Sequence, residues 1–227
     1  MLFKPLLFLI GIISTVYSNA AEYTSLSEAL KNPTAVKSLN LSNKGLVELT
    51  SSIGKFVNLE KLNLSNNKLI TLPKEIYTLK KLKYLSLTVN YLLQISPAVG
   101  NLTNLEVLEI GFNKLNTLPV EIGQLTKLNR LVAPRNNLKS LPVQFQQIDS
   151  LEIIDLSYNA FTTLPEGIAN LPKLKSLDVS FNKNLEVLPK TLNRLSPLRI
   201  FNIKATKVTP AQIESLLWII PSCSIIF

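Results

Sequence analysis

The sequence predicts an α/β repeat solenoid, in which short parallel strands alternate with short helices or turns around one continuous core. Two observations carry this prediction. Aligned on itself, the chain repeats with a 23-residue period, and leucine and asparagine return to the same places in each unit. A unit of this length cannot bury its own apolar face, so neighbouring units must stack. Eight units begin at Val36, Leu59, Leu82, Leu105, Leu128, Leu151, Leu174 and Leu198.

Each unit opens with an alternation of apolar and polar residues that predicts a short strand. In Leu62-Asn63-Leu64 the two leucines fall on one face of an extended chain and Asn63 on the other. Stacking such strands predicts a parallel sheet with leucines inside and variable residues outside. The outward positions are therefore where a binding surface is expected.

A Leu-Pro pair follows the strand in five units. Proline fixes φ and lacks an N–H donor, so it ends pairing and begins a turn. Apolar residues three apart come next, such as Ile76 and Leu79, and this spacing fits one helical turn on the far side from the sheet. We expect a local bulge near Asn184, where the seventh unit has one additional residue. The pairs are Leu72-Pro73, Leu118-Pro119, Leu141-Pro142, Leu164-Pro165 and Leu188-Pro189.

Asparagine occupies the same position in six consecutive units. A side-chain amide there can pair with backbone groups that no strand or helix satisfies, and a buried unpaired group costs about 1–3 kcal/mol. We therefore interpret this column as structural and not as a site. Its members are Asn67, Asn90, Asn113, Asn136, Asn159 and Asn182.

The two ends of the chain differ from the repeats. Residues 1–20 have a basic start, an apolar stretch and a small-residue cleavage site, which together predict a secretory signal peptide. Residues 21–35 are expected to form an N-terminal capping helix, residues 36–208 the repeats and residues 209–227 a C-terminal cap. The lone Cys223 cannot form an internal disulfide, so stability must come from packing.

The clearest unit, residues 59–79, matches the pattern LxxLxLxxNxLxxLPxxIxxLxx at every fixed position. In this pattern the sequence resembles the leucine-rich repeat family, and the resemblance runs from residue 36 to the C-terminus. It implies a curved right-handed solenoid with its parallel sheet on the concave side. With the leader, the chain also resembles secreted bacterial leucine-rich repeat proteins, which implies export to the periplasm, the cell surface or the medium.

Catalysis is not expected. The chain has no histidine, which removes the commonest general base and metal ligand. Asp155 and Asp178 are the only outward carboxylates on neighbouring strands, and nothing supplies a pocket for carboxylate chemistry. Glycine loops for phosphate and Cys or His clusters for metals are absent from the sequence, so we expect neither an enzyme nor a cofactor.

Binding is expected on the outward sheet positions of units three to seven, where apolar and charged groups replace serine and asparagine. Apolar and aromatic groups beside arginine are the usual makeup of protein-binding hot spots. A further column just before the asparagines is aromatic, and both packing and binding remain open for it. The expected partner-binding residues are Tyr84, Val107, Glu109, Arg130, Val132, Ile153, Asp155 and Asp178, with Phe112, Arg135, Tyr158 and Phe181 in the further column.

The preferred hypothesis is a monomeric, exported, protein-binding module that acts in host or cell-surface interaction. The alternative is a binder of acidic glycans, lipopolysaccharide or other polyanions, because the net charge is +9 and becomes +8 once Lys4 leaves with the leader. Nucleic acid is not expected, since the lysines are scattered and form no single stripe. No membrane span is expected in the mature chain, because the apolar leader is interrupted by polar residues.

Overall fold

The computed structural model describes residues 21–227, so the predicted signal peptide lies outside the described residues. This part of the chain forms one ten-stranded sheet in which strand order follows chain order and every pair is parallel. Each connection therefore crosses the far side of the core before the next strand. The strands are β1 Glu22–Tyr23, β2 Ser38–Asn40, β3 Lys61–Asn63, β4 Tyr84–Ser86, β5 Val107–Glu109, β6 Arg130–Val132, β7 Ile153–Asp155, β8 Ser176–Asp178, β9 Ile200–Asn202 and β10 Ser224–Ile226.

The middle residue of each three-residue strand points into the core, and these residues align across the sheet. Leu62 pairs in register with Leu85, Leu85 with Leu108, and Leu108 with Leu131. All four are at most 1% exposed. Because the period brings equivalent leucines into one stack, the core runs unbroken through every repeat. The predicted leucine-rich repeat architecture is confirmed.

Short 3-10 helices return the chain along the far side of the core. At four of the five Leu-Pro pairs, proline precedes the helix as its N-cap, whereas Thr191 is the N-cap of the helix that follows Leu188-Pro189. In the first and third repeats the hydroxyls of Thr50 and Ser96 cap the helix instead, by accepting from Ser52 N and Ala98 N. The helices are Pro33–Ala35, Ser51–Lys55, Lys74–Thr78, Pro97–Asn101, Val120–Gln124, Val143–Gln147, Glu166–Asn170 and Leu192–Arg194.

The asparagine column lies just behind the sheet and joins neighbouring repeats. Asn113 Oδ1 accepts from Leu92 N at 3.0 Å, and its Nδ2 donates to Leu87 O and Ile110 O at 3.0 and 3.1 Å. Asn136 repeats the pattern, since its Nδ2 also donates to Ile110 O. Each amide thus satisfies backbone groups of its own repeat and of earlier repeats, which agrees with the structural interpretation.

Both ends of the core are covered by helices. Helix α1, Leu26–Ala29, begins after the N-cap Ser25, and helix α2, Pro210–Ile219, begins at a capping box formed by Thr209 and Gln212. Strand β10 follows α2 and extends the sheet beyond the last repeat. In the seventh repeat, Leu185 N bonds to Asn182 O in a tight turn that takes up the additional residue.

Candidate functional site

The outward side chains of strands β4 to β8 form a surface that we call the sheet face. Its members are the first or third residues of their strands, and they sit roughly 4.8 Å from their equivalents on the next strand. The surface is continuous because the strands are in register. Besides Ser86 and Ser176, it comprises Tyr84, Val107, Glu109, Arg130, Val132, Ile153, Asp155 and Asp178.

The apolar members of the sheet face are less exposed than the sequence suggested. Val107 lies at an outward strand position but is only 4% exposed. It pairs in register with Tyr84 and Arg130, whose longer side chains flank it. Val132 and Ile153 are half-buried. A partner on this surface would therefore contact Tyr84 and Arg130, and it would touch little of Val107 itself.

Polar contacts hold the larger side chains of the sheet face in place. The Tyr84 hydroxyl donates to Glu109 Oε2 at 2.7 Å. The Nε of Arg130 is buried and has no hydrogen-bond partner among the described residues, although the side chain as a whole is half-buried. The Arg130 side chain therefore lies against the sheet at a free-energy cost, because a buried donor without a partner is unfavourable.

Asp155 and Asp178 have a turn-forming role that the sequence reasoning missed. Asp155 Oδ1 accepts from the backbone N and the hydroxyl of Ser157 at 2.9 and 2.7 Å, and Asp178 repeats this with Ser180. Asn40 makes the same pair of bonds with Ser42. The Asx-x-Ser spacing in the sequence was the signal for this turn.

The two aspartates are direct neighbours, as predicted, because Asp155 pairs in register with Asp178. Burial raises the pKa of Asp155 above its usual value, and the adjacent Asp178 charge raises it further, against the bonds from Ser157 and the more distant Arg130. Val132 lies between Glu109 and Asp155, so the three carboxylates do not form one row. No cluster of three or more metal-ligating side chains occurs in residues 21–227.

A second surface, which we call the aromatic column, lies at the end of each strand segment. Its residues all have left-handed backbone conformations, with φ between 53° and 57°. Asparagine, which tolerates this conformation, occupies it in the first two repeats, at Asn43 and Asn66. Larger side chains pay a steric cost of roughly 1–2 kcal/mol there. The aromatic column consists of Phe112, Arg135, Tyr158 and Phe181.

Side chains of the aromatic column stack on one another across four repeats. The Arg135 guanidinium lies 5.3 Å from the centroid of Phe112 and 4.1 Å from that of Tyr158. Tyr158 in turn stacks on Phe181, with centroids 4.2 Å apart and ring planes within 7° of parallel. The column is therefore preorganised by cation–π and ring contacts.

The stack still faces solvent. Phe112 is 47% exposed and Tyr158 is 38% exposed, whereas no apolar residue of the sheet face reaches that level. Packing and exposure thus coexist in the column. Tyr158 and Phe181 each follow a sheet-face aspartate by three residues, so the column borders the sheet face at the carboxyl ends of the strands.

Sequence reasoning passed over a third group of exposed apolar residues in the first three repeats. Val47, Ile70 and Leu93 occupy the same position of consecutive repeats and are 64%, 49% and 54% exposed. The same position is polar in the next repeats, at Asn116 and Lys139. Recurrence of apolar residues at one loop position was the available signal.

Several lysines form contacts that join neighbouring repeats. Lys83 forms an ion pair with Glu60 at 2.8 Å, and Lys175 forms one with Glu152 at the same distance. Lys81 donates to Asn58 one repeat earlier. Within the described part of the chain, no helix is long and apolar enough to span a bilayer.

Family models recognise most of the repeat region. A model described as a leucine-rich repeat region matches residues 74–159, and one described as leucine rich repeat matches residues 34–92. A further leucine-rich repeat model matches residues 150–171 and 173–195. The chain belongs to the leucine-rich repeat family. Domains of this family generally bind proteins and are typically non-catalytic, and no enzymatic domain is among these matches.

Solved leucine-rich repeat structures have a similar fold. The receptor RGFR1, a plant peptide hormone receptor in complex with RGF2, is 28% identical with a TM-score of 0.66 and covers 85% of this chain. The ectodomain of the Arabidopsis thaliana receptor kinase GASSHO1/SCHENGEN3, in complex with Casparian strip integrity factor 2, is 27% identical with a TM-score of 0.58 over 73% of this chain. This chain spans only 36% and 24% of those two chains.

A bacterial structure matches along its whole length. The Leptospira interrogans leucine-rich repeat protein LIC12759 is 22% identical, with 91% of this chain and 100% of that chain covered and a TM-score of 0.43. Among curated proteins, none matched.

Proposed function

We propose that this protein is an exported, non-enzymatic binding module that holds a protein partner against the sheet face and the aromatic column of repeats three to seven. The two surfaces adjoin along the carboxyl ends of the strands. One partner can therefore contact both. The module needs no cofactor, because its work is recognition.

The aromatic column is the observation that carries this proposal. Phe112, Tyr158 and Phe181 occupy a left-handed position at which a smaller or more tolerant residue would cost less. Two of these rings remain well exposed even though stacking covers their faces. Backbone strain that is retained while apolar surface stays exposed supports a role in binding.

The two plant receptors support the same class of function. Each was solved in complex with its ligand, and one of them is described as a peptide hormone receptor. In those two receptors, the repeat fold that they share with this chain thus binds a protein or peptide. The nature of the ligand does not carry over, because this chain spans about a third or less of either receptor.

A polyanion is the less favoured ligand. Several lysine side chains already pair with residues of a neighbouring repeat and are less available to a polyanion, namely Lys81, Lys83 and Lys175. The sheet face itself carries more carboxylates than guanidinium groups. Raising the salt concentration above about 0.15 M separates the two functions, because a polyanion complex weakens steeply and an apolar protein contact does not.

The binding surface can be tested by affinity capture from host-cell or envelope extracts. Wild type is compared with the double variant Tyr84→Ala/Ile153→Ala and with Phe112→Ala/Tyr158→Ala. The matched control is Val120→Ala/Val143→Ala, which truncates two exposed valines on the far side of the solenoid. We expect both surface variants to lose proteins that wild type and control retain. Equal recovery by all four proteins would contradict the proposal.

Export is tested separately. We expect protein recovered from the periplasm, cell surface or medium to begin at Ala21, because the small residues before it form the proposed cleavage site. N-terminal sequencing gives the answer directly. An intact Met1 on exported protein would refute a cleaved signal while leaving the binding surface unaffected.

A further inference from the structure

The sheet face is acidic although the protein is strongly basic. On the outward positions of strands β4 to β9 the charged residues are Glu109, Arg130, Asp155 and Asp178, which together give −2. The whole chain has a net charge of +9. Carboxylates therefore outnumber basic groups on these strands, with Lys61 at the β3 border beside Tyr84 and Arg135 in the adjoining aromatic column.

The carboxylate charge at Asp155 and Asp178 is not required by the fold. Their Oδ1 atoms form turns with Ser157 and Ser180, and the amide oxygen of Asn40 forms the same turn with Ser42. An amide would serve the turn equally well, although at position 178 its NH2 group would replace the oxygen that accepts from Asn202 Nδ2. It would also avoid placing two like charges on neighbouring strands.

Some hydrogen-bonding capacity of this pair remains open to a partner. Asp178 Oδ2 accepts from Asn202 Nδ2 at 2.8 Å, whereas the Oδ2 of Asp155 has no hydrogen bond among the described residues. Among the described residues, Arg130 forms no ion pair with either aspartate. Arg130 acts on Asp155 only from a longer distance, so it offsets part of the pair's negative charge without forming an ion pair.

Apolar groups lie beside Asp155, and aromatic rings border both aspartates. Val132 is the in-register neighbour of Asp155 on one side, and Ile153 lies two residues earlier on the same strand. Tyr158 and Phe181 border the carboxyl ends of the same two strands. An apolar stem with a positively charged end fits this arrangement, since lysine and arginine bury their methylene groups while pairing their charged ends.

We propose that the sheet face of repeats five to seven docks a segment of the protein partner that carries a lysine or arginine, whose charged end pairs with Asp155 and Asp178. Charge complementarity decides this occupant over an acidic segment. This inference rests on the proposed function, because it specifies the chemistry of the partner for the same surface.

A random dodecapeptide library displayed on phage tests the inference, with the full chain as bait. We expect the peptides selected by wild type to be enriched in Lys and Arg over Asp and Glu. Synthetic copies of the selected peptides should bind Asp155→Asn/Asp178→Asn roughly 10- to 100-fold more weakly, as expected for a lost charged hydrogen bond. Replacing the peptide's lysine or arginine by norleucine or citrulline should weaken binding to wild type by a similar factor.

The control variant is Glu75→Gln/Glu121→Gln, which removes the same two charges from helices on the far side of the solenoid. It should bind the selected peptides like wild type. Enrichment of acidic or neutral peptides, failure to enrich any peptide, or equal affinity for the Asp→Asn variant would overturn the inference. If binding then still fell with Tyr84→Ala/Ile153→Ala, the sheet face would remain the binding surface and only the basic partner would be wrong.

Discussion

The asparagine ladder offers the sharpest test of the fold. In Asn113→Ala, Leu87 O and Ile110 O each keep one bond, from the amides of Asn90 and Asn136. Only Leu92 N loses its sole recorded partner. Leaving that buried donor unpaired costs about 1–3 kcal/mol. The two Nδ2 hydrogens, which are shared among Leu87 O, Ile110 O and Gly111 O, each add about 0.5–1.5 kcal/mol when their bonds are lost. The variant should therefore lose roughly 2–6 kcal/mol of unfolding free energy.

Urea denaturation followed by circular dichroism measures this loss. The matched control is Asn116→Ala in the same repeat, because Asn116 is exposed and forms no recorded side-chain hydrogen bond. It should change stability by less than about 0.5 kcal/mol. If Asn113→Ala were as mild as Asn116→Ala, the ladder would not hold the repeats together and the argument from unpaired backbone groups would fail.

Two further predictions concern the core and the sheet face. Leu131→Ala should lower the free energy of unfolding in urea by about 2–5 kcal/mol, because it opens a cavity between repeats. The control Val143→Ala, at a 66% exposed site, should change it little. An unchanged urea midpoint for Leu131→Ala would refute the stacking register. Since the pKa of Asp155 is raised on folding, its ionisation opposes folding, and this penalty grows as pH rises from the unfolded pKa through the folded one. Asp155→Asn should thus melt at or above the wild-type temperature at neutral pH and lose that advantage towards pH 4, and a lower melting temperature at neutral pH would contradict it.

Positions that hold the same residue in every repeat were easier to predict than positions whose side chains differ between repeats. The period identified Leu62, Leu85 and Leu131 as stacked core residues, because equivalent positions must meet when identical units stack. It could not show that Val107 is buried, since that depends on how far Tyr84 and Arg130 reach across the sheet. Side-chain reach varies from repeat to repeat while the backbone spacing stays constant.

The aromatic column shows the same division. The sequence placed Phe112, Arg135, Tyr158 and Phe181 in one column, but it left packing and binding open. The structure adds the left-handed backbone and the stacking of Arg135 between two rings, so the side chains pack against one another and remain exposed. Both the strain and the stacking depend on φ angles and ring orientations that a one-dimensional pattern does not contain.

By itself, the sequence determined the number of repeats, the inward leucines, the asparagine ladder and the absence of histidine-based catalysis. These follow from periodicity and composition, which constrain every repeat alike. Only the tertiary structure decided which outward side chains are covered, that Asp155 and Asp178 close turns with Ser157 and Ser180, and that the residues of the aromatic column stack. Such properties arise where side chains from different repeats meet, and the distances and directions between them are fixed only when the solenoid is folded.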